Sequence, residues 1–253
     1  MIDDDAPDDL DPDLEWKIRA WAVPAALVIA MLFNMSPTGH MLQRTWLTMI
    51  PHEFGHAITG WWCGFSTIPG LWKTLIPEER GTLAPVLVAG LELWIAFSGW
   101  RSGKMWLAYV AVALGILQFL GTTARVESAQ TAITFGGDGG AMVIGTLLIL
   151  TFFAPSGSKL RQGALRWGLL VIGAAAYTDT AMTWWRARGD HDLIPFGEIE
   201  GVGLSDPSKL SETGWSPVQI ISRYTMLAGI CLAVIVGVWA WQTWTMRQRS
   251  RAQ

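Results

Sequence analysis

The chain has 253 residues, of which 51% are hydrophobic and only 15% are charged. A soluble domain of this length typically carries about a quarter charged residues, so the composition favours a membrane protein over a soluble one. The net charge of −3, without a basic stripe, gives no case for a nucleic-acid partner. The two cysteines, Cys63 and Cys231, have no spacing typical of a disulfide framework or a thiolate metal site.

The N-terminal residues 1–19 are rich in aspartate and predict an acidic, disordered tail. The tail lacks the basic start of a signal peptide, so we expect it to be retained. Seven apolar segments follow, many with tryptophans at their ends, as in interfacial belts. We therefore expect residues 20–246 to form an all-α polytopic membrane bundle of about six to seven transmembrane segments in a cell or inner membrane. The segments span about residues 20–35, 45–65, 82–99, 105–121, 129–153, 165–185 and 217–246.

Three connecting or terminal stretches are polar or broken by proline and glycine. Residues 66–81 predict a loop that dips into the membrane, and residues 186–216 predict an extramembrane loop or small lid. The basic tail 247–253 favours a cytoplasmic C-terminus. The acidic residues of the lid are Asp190, Asp192, Glu198, Glu200, Asp206 and Glu212.

The second apolar segment contains the sequence Pro-His-Glu-Phe-Gly-His-Ala, with His52, Glu53 and His56. Residues four apart share a helix face, so the two imidazoles can bind one metal ion while Glu53 acts on a water beside it. This is the His-Glu-x-x-His arrangement of zinc hydrolases. The alternative is a pair of hydrogen-bonded core histidines. Ionisable groups at membrane depth cost about 2.5–3.5 kcal/mol each on insertion scales, which favours a metal site.

The fifth apolar segment has Gly-Gly-Asp-Gly-Gly at its middle, centred on Asp138. Four glycines disfavour a continuous helix, and a break at membrane depth is tolerated where it lines a cavity or is buried in protein. The sequence therefore predicts a broken helix near Asp138, with the carboxylate at a depth similar to that of the two histidines.

A catalytic zinc site needs three protein ligands and an open position. We select Asp138 as the third ligand because its flexible neighbours free it to reach a metal, with Asp179 as the runner-up. Glu92 is better explained as a polar contact between helices. The other two histidines lie outside the apolar segments. The candidates considered were Asp138, Asp179, Glu92, His40 and His191.

The two motifs together resemble the site-2 protease family of intramembrane zinc metalloproteases. The resemblance covers about residues 45–153 and implies zinc held by His52, His56 and Asp138, with Glu53 as general base. It implies a zinc metalloendopeptidase that cleaves transmembrane or membrane-associated protein substrates. Our own hypothesis is that an edge in the 66–81 loop pairs with an unwound substrate segment. Gly137 departs from the family, which has an apolar residue before the aspartate. The family's Asn-Pro element is also missing, since Asn34 is the only asparagine.

Two other functions remain open at this stage. A catalytically inactive, protease-like scaffold or accessory subunit would bind transmembrane helices without cleaving them. A transporter would use Glu92 and Asp179 as a proton relay, but this function leaves the His-Glu-x-x-His spacing unexplained.

Overall fold

The fold is an all-α helical bundle, which confirms the predicted fold class. The computed structural model describes residues 11–155, 157–161, 163–199 and 203–251. Short elements include a π-helical turn, Arg44–Thr48, two 3-10 turns, Lys159–Arg161 and His191–Leu193, and the antiparallel strands β1, Glu198–Ile199, and β2, Gly203–Leu204. The α-helices are α1 Pro12–Asn34, α2 Pro37–Gln43, α3 Met49–Trp62, α4 Leu83–Arg101, α5 Met105–Thr123, α6 Val126–Thr151, α7 Leu165–Ala187, α8 Asp206–Glu212 and α9 Pro217–Arg251.

The chain divides into two compact units. The first unit comprises Met1–Pro51, Ala141–Ile194 and Ile221–Gln253, and the second comprises His52–Gly140 and Pro195–Ile220. In the first unit, α7 is largely buried, and the ring of Trp184 stacks on that of Tyr224 with centroids 4.2 Å apart. The His-Glu-x-x-His motif and the glycine-rich motif both belong to the second unit.

Helix α1 begins earlier than the sequence indicated. The Asp11 side chain caps it by accepting a hydrogen bond from the Asp13 backbone N–H, and Pro12 occupies the first turn, where a missing N–H is tolerated. Glu15 is buried and accepts hydrogen bonds from Arg19 and Arg166 at 2.6 and 2.9 Å. The predicted disorder is therefore wrong for residues 12–19, and residues 1–10 lie outside the described residues.

The C-terminal residues 247–251, predicted as a tail, continue helix α9.

Five helices among the described residues are long and apolar enough to cross a membrane, fewer than the six to seven segments predicted. Helix α3 has only 14 residues, about 21 Å at 1.5 Å per residue, and it follows a π-helical turn. Helix α7 has 23 residues, but its buried polar stretch 177–180 lowers its hydropathy. The five helices that are long and apolar enough to cross a membrane are α1, α4, α5, α6 and α9.

The predicted helix break near Asp138 is wrong, because α6 is continuous from Val126 to Thr151. Its glycines allow the backbone of α3 to approach. A methyl group on Gly140 would collide with the backbone of Gly55, and one on Gly136 would collide with the Thr59 side chain. Each glycine makes the helix less favourable by about 1 kcal/mol relative to alanine, and the packing of α3 against α6 offsets this cost.

We expect Gly140→Ala to destabilise the protein by about 1–3 kcal/mol, because the new methyl group meets backbone atoms that cannot rotate away. The measurement is thermal unfolding in detergent. Gly90→Ala on α4 is the matched control, since open space surrounds Gly90. Equal melting temperatures for the two variants would contradict close packing of α3 against α6.

Candidate metal centre

Helix α3 places two imidazoles on one buried face. His52 and His56 are 7% and 6% exposed, and their Nε2 atoms lie 3.2 Å apart with the rings perpendicular. Space for the rings comes from Gly137 on α6, where a methyl group would lie 2.6 Å from the Cε1 atoms of both. Gly137 is thus required by the packing of the two histidines.

Each Nδ1 atom faces a hydrogen-bond acceptor on α6. The Nδ1 of His52 lies 3.0 Å from Oδ1 of Asp138, and the Nδ1 of His56 lies 2.7 Å from the carbonyl oxygen of Ile133. Metal-binding histidines commonly donate their second N–H to such an acceptor, which fixes the tautomer and the ring orientation. Both rings are therefore oriented with their Nε2 atoms toward the same point.

A carboxylate from α8 occupies that point. The Oδ2 of Asp206 lies 3.0 Å from Nε2 of His56 and 3.2 Å from Nε2 of His52, and its Oδ1 lies 3.5 Å from Nζ of Lys209. Burial raises the pKa of Asp206, but its contacts with the two imidazoles outweigh this effect and hold the pKa well below its usual range. Among the described residues, His52, His56 and Asp206 are the one group of three or more His, Cys, Asp or Glu side chains whose ligand atoms all lie within 4.8 Å of one another.

The donor set fits zinc. Two imidazole nitrogens and a carboxylate oxygen are common zinc ligands, and the ligand atoms of a tetrahedral site with bonds of about 2.0–2.1 Å are separated by about 3.3 Å. The three separations here are 3.0, 3.2 and 3.2 Å. Side chains already gathered at this spacing need little rearrangement to bind the ion.

Glu53, the predicted general base, is buried next to His52 on α3. The Thr74 hydroxyl oxygen lies 2.7 Å from Oε2 of Glu53 and 2.8 Å from the Glu53 carbonyl oxygen. Thr74 belongs to a short hairpin within the predicted 66–81 loop, closed by backbone hydrogen bonds of 2.9 and 3.0 Å between Ile68 and Leu75. The hairpin therefore positions the carboxylate of Glu53.

The remaining candidates lie in other surroundings. Asp179, the runner-up ligand, belongs to the first unit, where its buried carboxylate contacts Asn34, His40 and Arg44. Glu92 accepts a hydrogen bond from Nε1 of Trp62 at 3.0 Å, as expected of a contact between helices. His191 is exposed on a 3-10 turn.

Three groups at the site are not predicted by any pattern in the sequence: Asp206, Thr74 and the Ile133 carbonyl. Asp206 is one of six acidic residues in the polar stretch 186–216, and Ser205-Asp206-Pro207 indicates only the start of a helix. No local pattern distinguishes this carboxylate from the other five.

The chain has no significant match among protein-family models, curated proteins or solved structures.

We expect Thr74→Val to destabilise the protein by about 1–3 kcal/mol, because it removes a hydrogen-bond donor from a buried carboxylate. Thr74→Ser keeps the hydroxyl and is the matched control. Thermal unfolding of both variants, repeated in a Glu53→Gln background, measures the coupling between the two side chains. The effect should shrink in that background, and an unchanged effect would show that Thr74 does not act on Glu53.

Proposed function

We propose that this protein is an intramembrane zinc metalloprotease that resembles the site-2 protease family and hydrolyses peptide bonds of membrane proteins. The observation that carries the proposal is the convergence of two Nε2 atoms, each with its Nδ1 facing an acceptor, on one carboxylate oxygen. The sequence places Glu53 beside the first of these histidines. Two histidines that only pack in the core would not need both Nε2 atoms to converge on one carboxylate oxygen.

The five apolar helices support a multi-pass location in a lipid bilayer. In the second unit, α4 and α5 expose large apolar side chains on most of their surface, including Leu93 at 72% and Tyr109 at 70%. Such surfaces are costly in water and favourable against lipid tails. The arginines near the end of α9 favour a cytoplasmic C-terminus.

The chain supplies the ligands and the base. When bound, zinc acts as a Lewis acid that polarises the scissile carbonyl and lowers the pKa of a water. His52 and His56 would hold the ion through Nε2, and Asp138 and the Ile133 carbonyl face the Nδ1 atoms and keep the rings oriented. Glu53 takes the proton from the attacking water and delivers it to the leaving amine nitrogen. Thr74 fixes the carboxylate for both transfers.

The hairpin that carries Thr74 is suited to a substrate in extended conformation. Thr67 and Thr74 are buried, whereas the large apolar residues between and beside them are exposed. An unwound segment of a transmembrane substrate would add along this edge by backbone hydrogen bonds, with its apolar side chains against those of the hairpin. The exposed apolar residues are Ile68, Leu71, Trp72, Leu75 and Ile76.

We expect Glu53→Gln to lower the rate of cleavage by about 10²–10⁴-fold, the usual effect of removing a general base. The assay incubates zinc-loaded protein in proteoliposomes with a panel of purified single-span membrane proteins and with labelled casein. Glu92→Gln is the matched control, because it changes another buried glutamate and keeps an acceptor for Trp62.

The proteolytic function requires that the native protein and Glu92→Gln cleave at equal rates and that Glu53→Gln retain its zinc. If zinc-loaded native protein cleaves none of these substrates in a Glu53-dependent manner, the protease proposal fails. Binding of the same single-span proteins without cleavage would then support the inactive scaffold.

A further inference from the structure

Two carboxylates lie on opposite sides of the His52 ring. Asp138 faces Nδ1 at 3.0 Å, and Asp206 faces Nε2 at 3.2 Å. The two nitrogens of an imidazole point away from each other, and in the neutral ring one carries a hydrogen while the other carries a lone pair. One carboxylate must therefore accept the N–H, and the other must lie on the side where a metal binds.

The hydrogen-bond partner of His56 determines on which side of the His52 ring a shared metal can bind. Its Nδ1 faces the carbonyl oxygen of Ile133, which can only accept, so this nitrogen carries the hydrogen and Nε2 carries the lone pair. The Nε2 of His56 lies 3.2 Å from Nε2 of His52. A metal shared by both rings must then lie on the Nε2 side of His52, which is the side of Asp206.

We propose that Asp206, rather than Asp138, is the third protein ligand of the metal, and that Asp138 is a positioning residue that accepts the Nδ1 hydrogen of His52. The assignment rests on the proposed metal site at His52 and His56. It transfers the third ligand from the glycine-rich motif to helix α8, about 70 residues farther along the chain.

Contacts made by residues 197–199 and 203–215 hold Asp206 in place. The β1–β2 pair leads directly into Ser205, whose backbone N–H donates to the Gly197 carbonyl oxygen at 2.8 Å. The Ser208 hydroxyl oxygen accepts from the Gly197 N–H at 2.9 Å. Beyond α8, the Trp215 ring packs on Phe135 of α6 with centroids 5.8 Å apart. These contacts anchor the segment on both sides of the carboxylate.

A ligand on α8 gives the metal a second role. The ion would join α3 to the segment around α8, within the polar stretch 186–216 that the sequence indicated as an extramembrane loop or small lid. Metal binding should then protect this segment from backbone opening, because exposing it would break a metal–ligand bond. A ligand at Asp138 would connect only α3 and α6.

The experiment replaces each carboxylate by a thiol in the full-length protein in detergent and loads it with Co²⁺. A thiolate bound to Co²⁺ gives an intense near-ultraviolet charge-transfer band, and thiolates are good ligands for such ions. We expect this band in Asp206→Cys and its absence in Asp138→Cys. The native protein gives the baseline contributed by its own two cysteines.

A band in Asp138→Cys alone, or in neither variant while Co²⁺ is bound, would overturn the assignment. Zinc affinity by chelator competition gives a second readout that does not depend on a new ligand. Asp138→Asn should weaken zinc by about 10–100-fold, as expected for a residue that orients a ligand. Asp206→Asn should weaken it by more than that, and Glu212→Gln, an exposed carboxylate on α8, should leave it unchanged.

Hydrogen exchange of the segment separates the assignment from the function. Zinc should slow exchange across residues 203–212 in the native protein and in Glu53→Gln, but not in Asp206→Asn. Zinc binding and Glu53-dependent cleavage without this protection would leave the protease proposal intact and overturn the role of Asp206. If the native protein binds neither zinc nor Co²⁺, both proposals fail.

Discussion

The candidate site depends on the close approach of two helix backbones in the second unit. Gly55 on α3 meets Gly136 and Gly140 on α6, and any larger residue would force the helices apart. At this separation the Ile133 carbonyl and the Asp138 carboxylate reach the Nδ1 atoms of the two histidines. Helix packing thus sets the orientation of both imidazoles, and such preorganisation is what a metal site requires.

Buried charge is the second constraint. His52, Glu53, His56 and Asp138 are all less than one-tenth exposed, and a buried ionisable group is costly unless it has a partner. Here each carboxylate has one: Asp138 and Asp206 contact the imidazoles, and Glu53 contacts the Thr74 hydroxyl. Removing one partner would leave an uncompensated charge in a protein interior of low polarisability. The cluster is therefore expected to respond to mutation as a unit.

The helices and the pair of histidines on α3 could be predicted from the sequence, because both depend on local patterns. Long apolar segments indicated the helices, and the four-residue spacing of His52 and His56 indicated a shared helix face. The glycines around Asp138 predict a helix break, and this prediction is wrong. Propensity describes a helix alone, whereas in the folded chain the same glycines allow α3 to pack closely enough to offset their weak propensity.

By itself, the sequence determined the fold class, the apolar character of the long helices and the pairing of two histidines with a glutamate on one helix. Only the tertiary structure decided which carboxylate faces which ring nitrogen. Asp206 lies 150 residues beyond His56 in a polar stretch without periodicity, so its place depends on contacts distant in sequence. The side of an imidazole that a neighbour occupies is a three-dimensional property, because it depends on ring orientation and helix packing, which residue spacing does not encode.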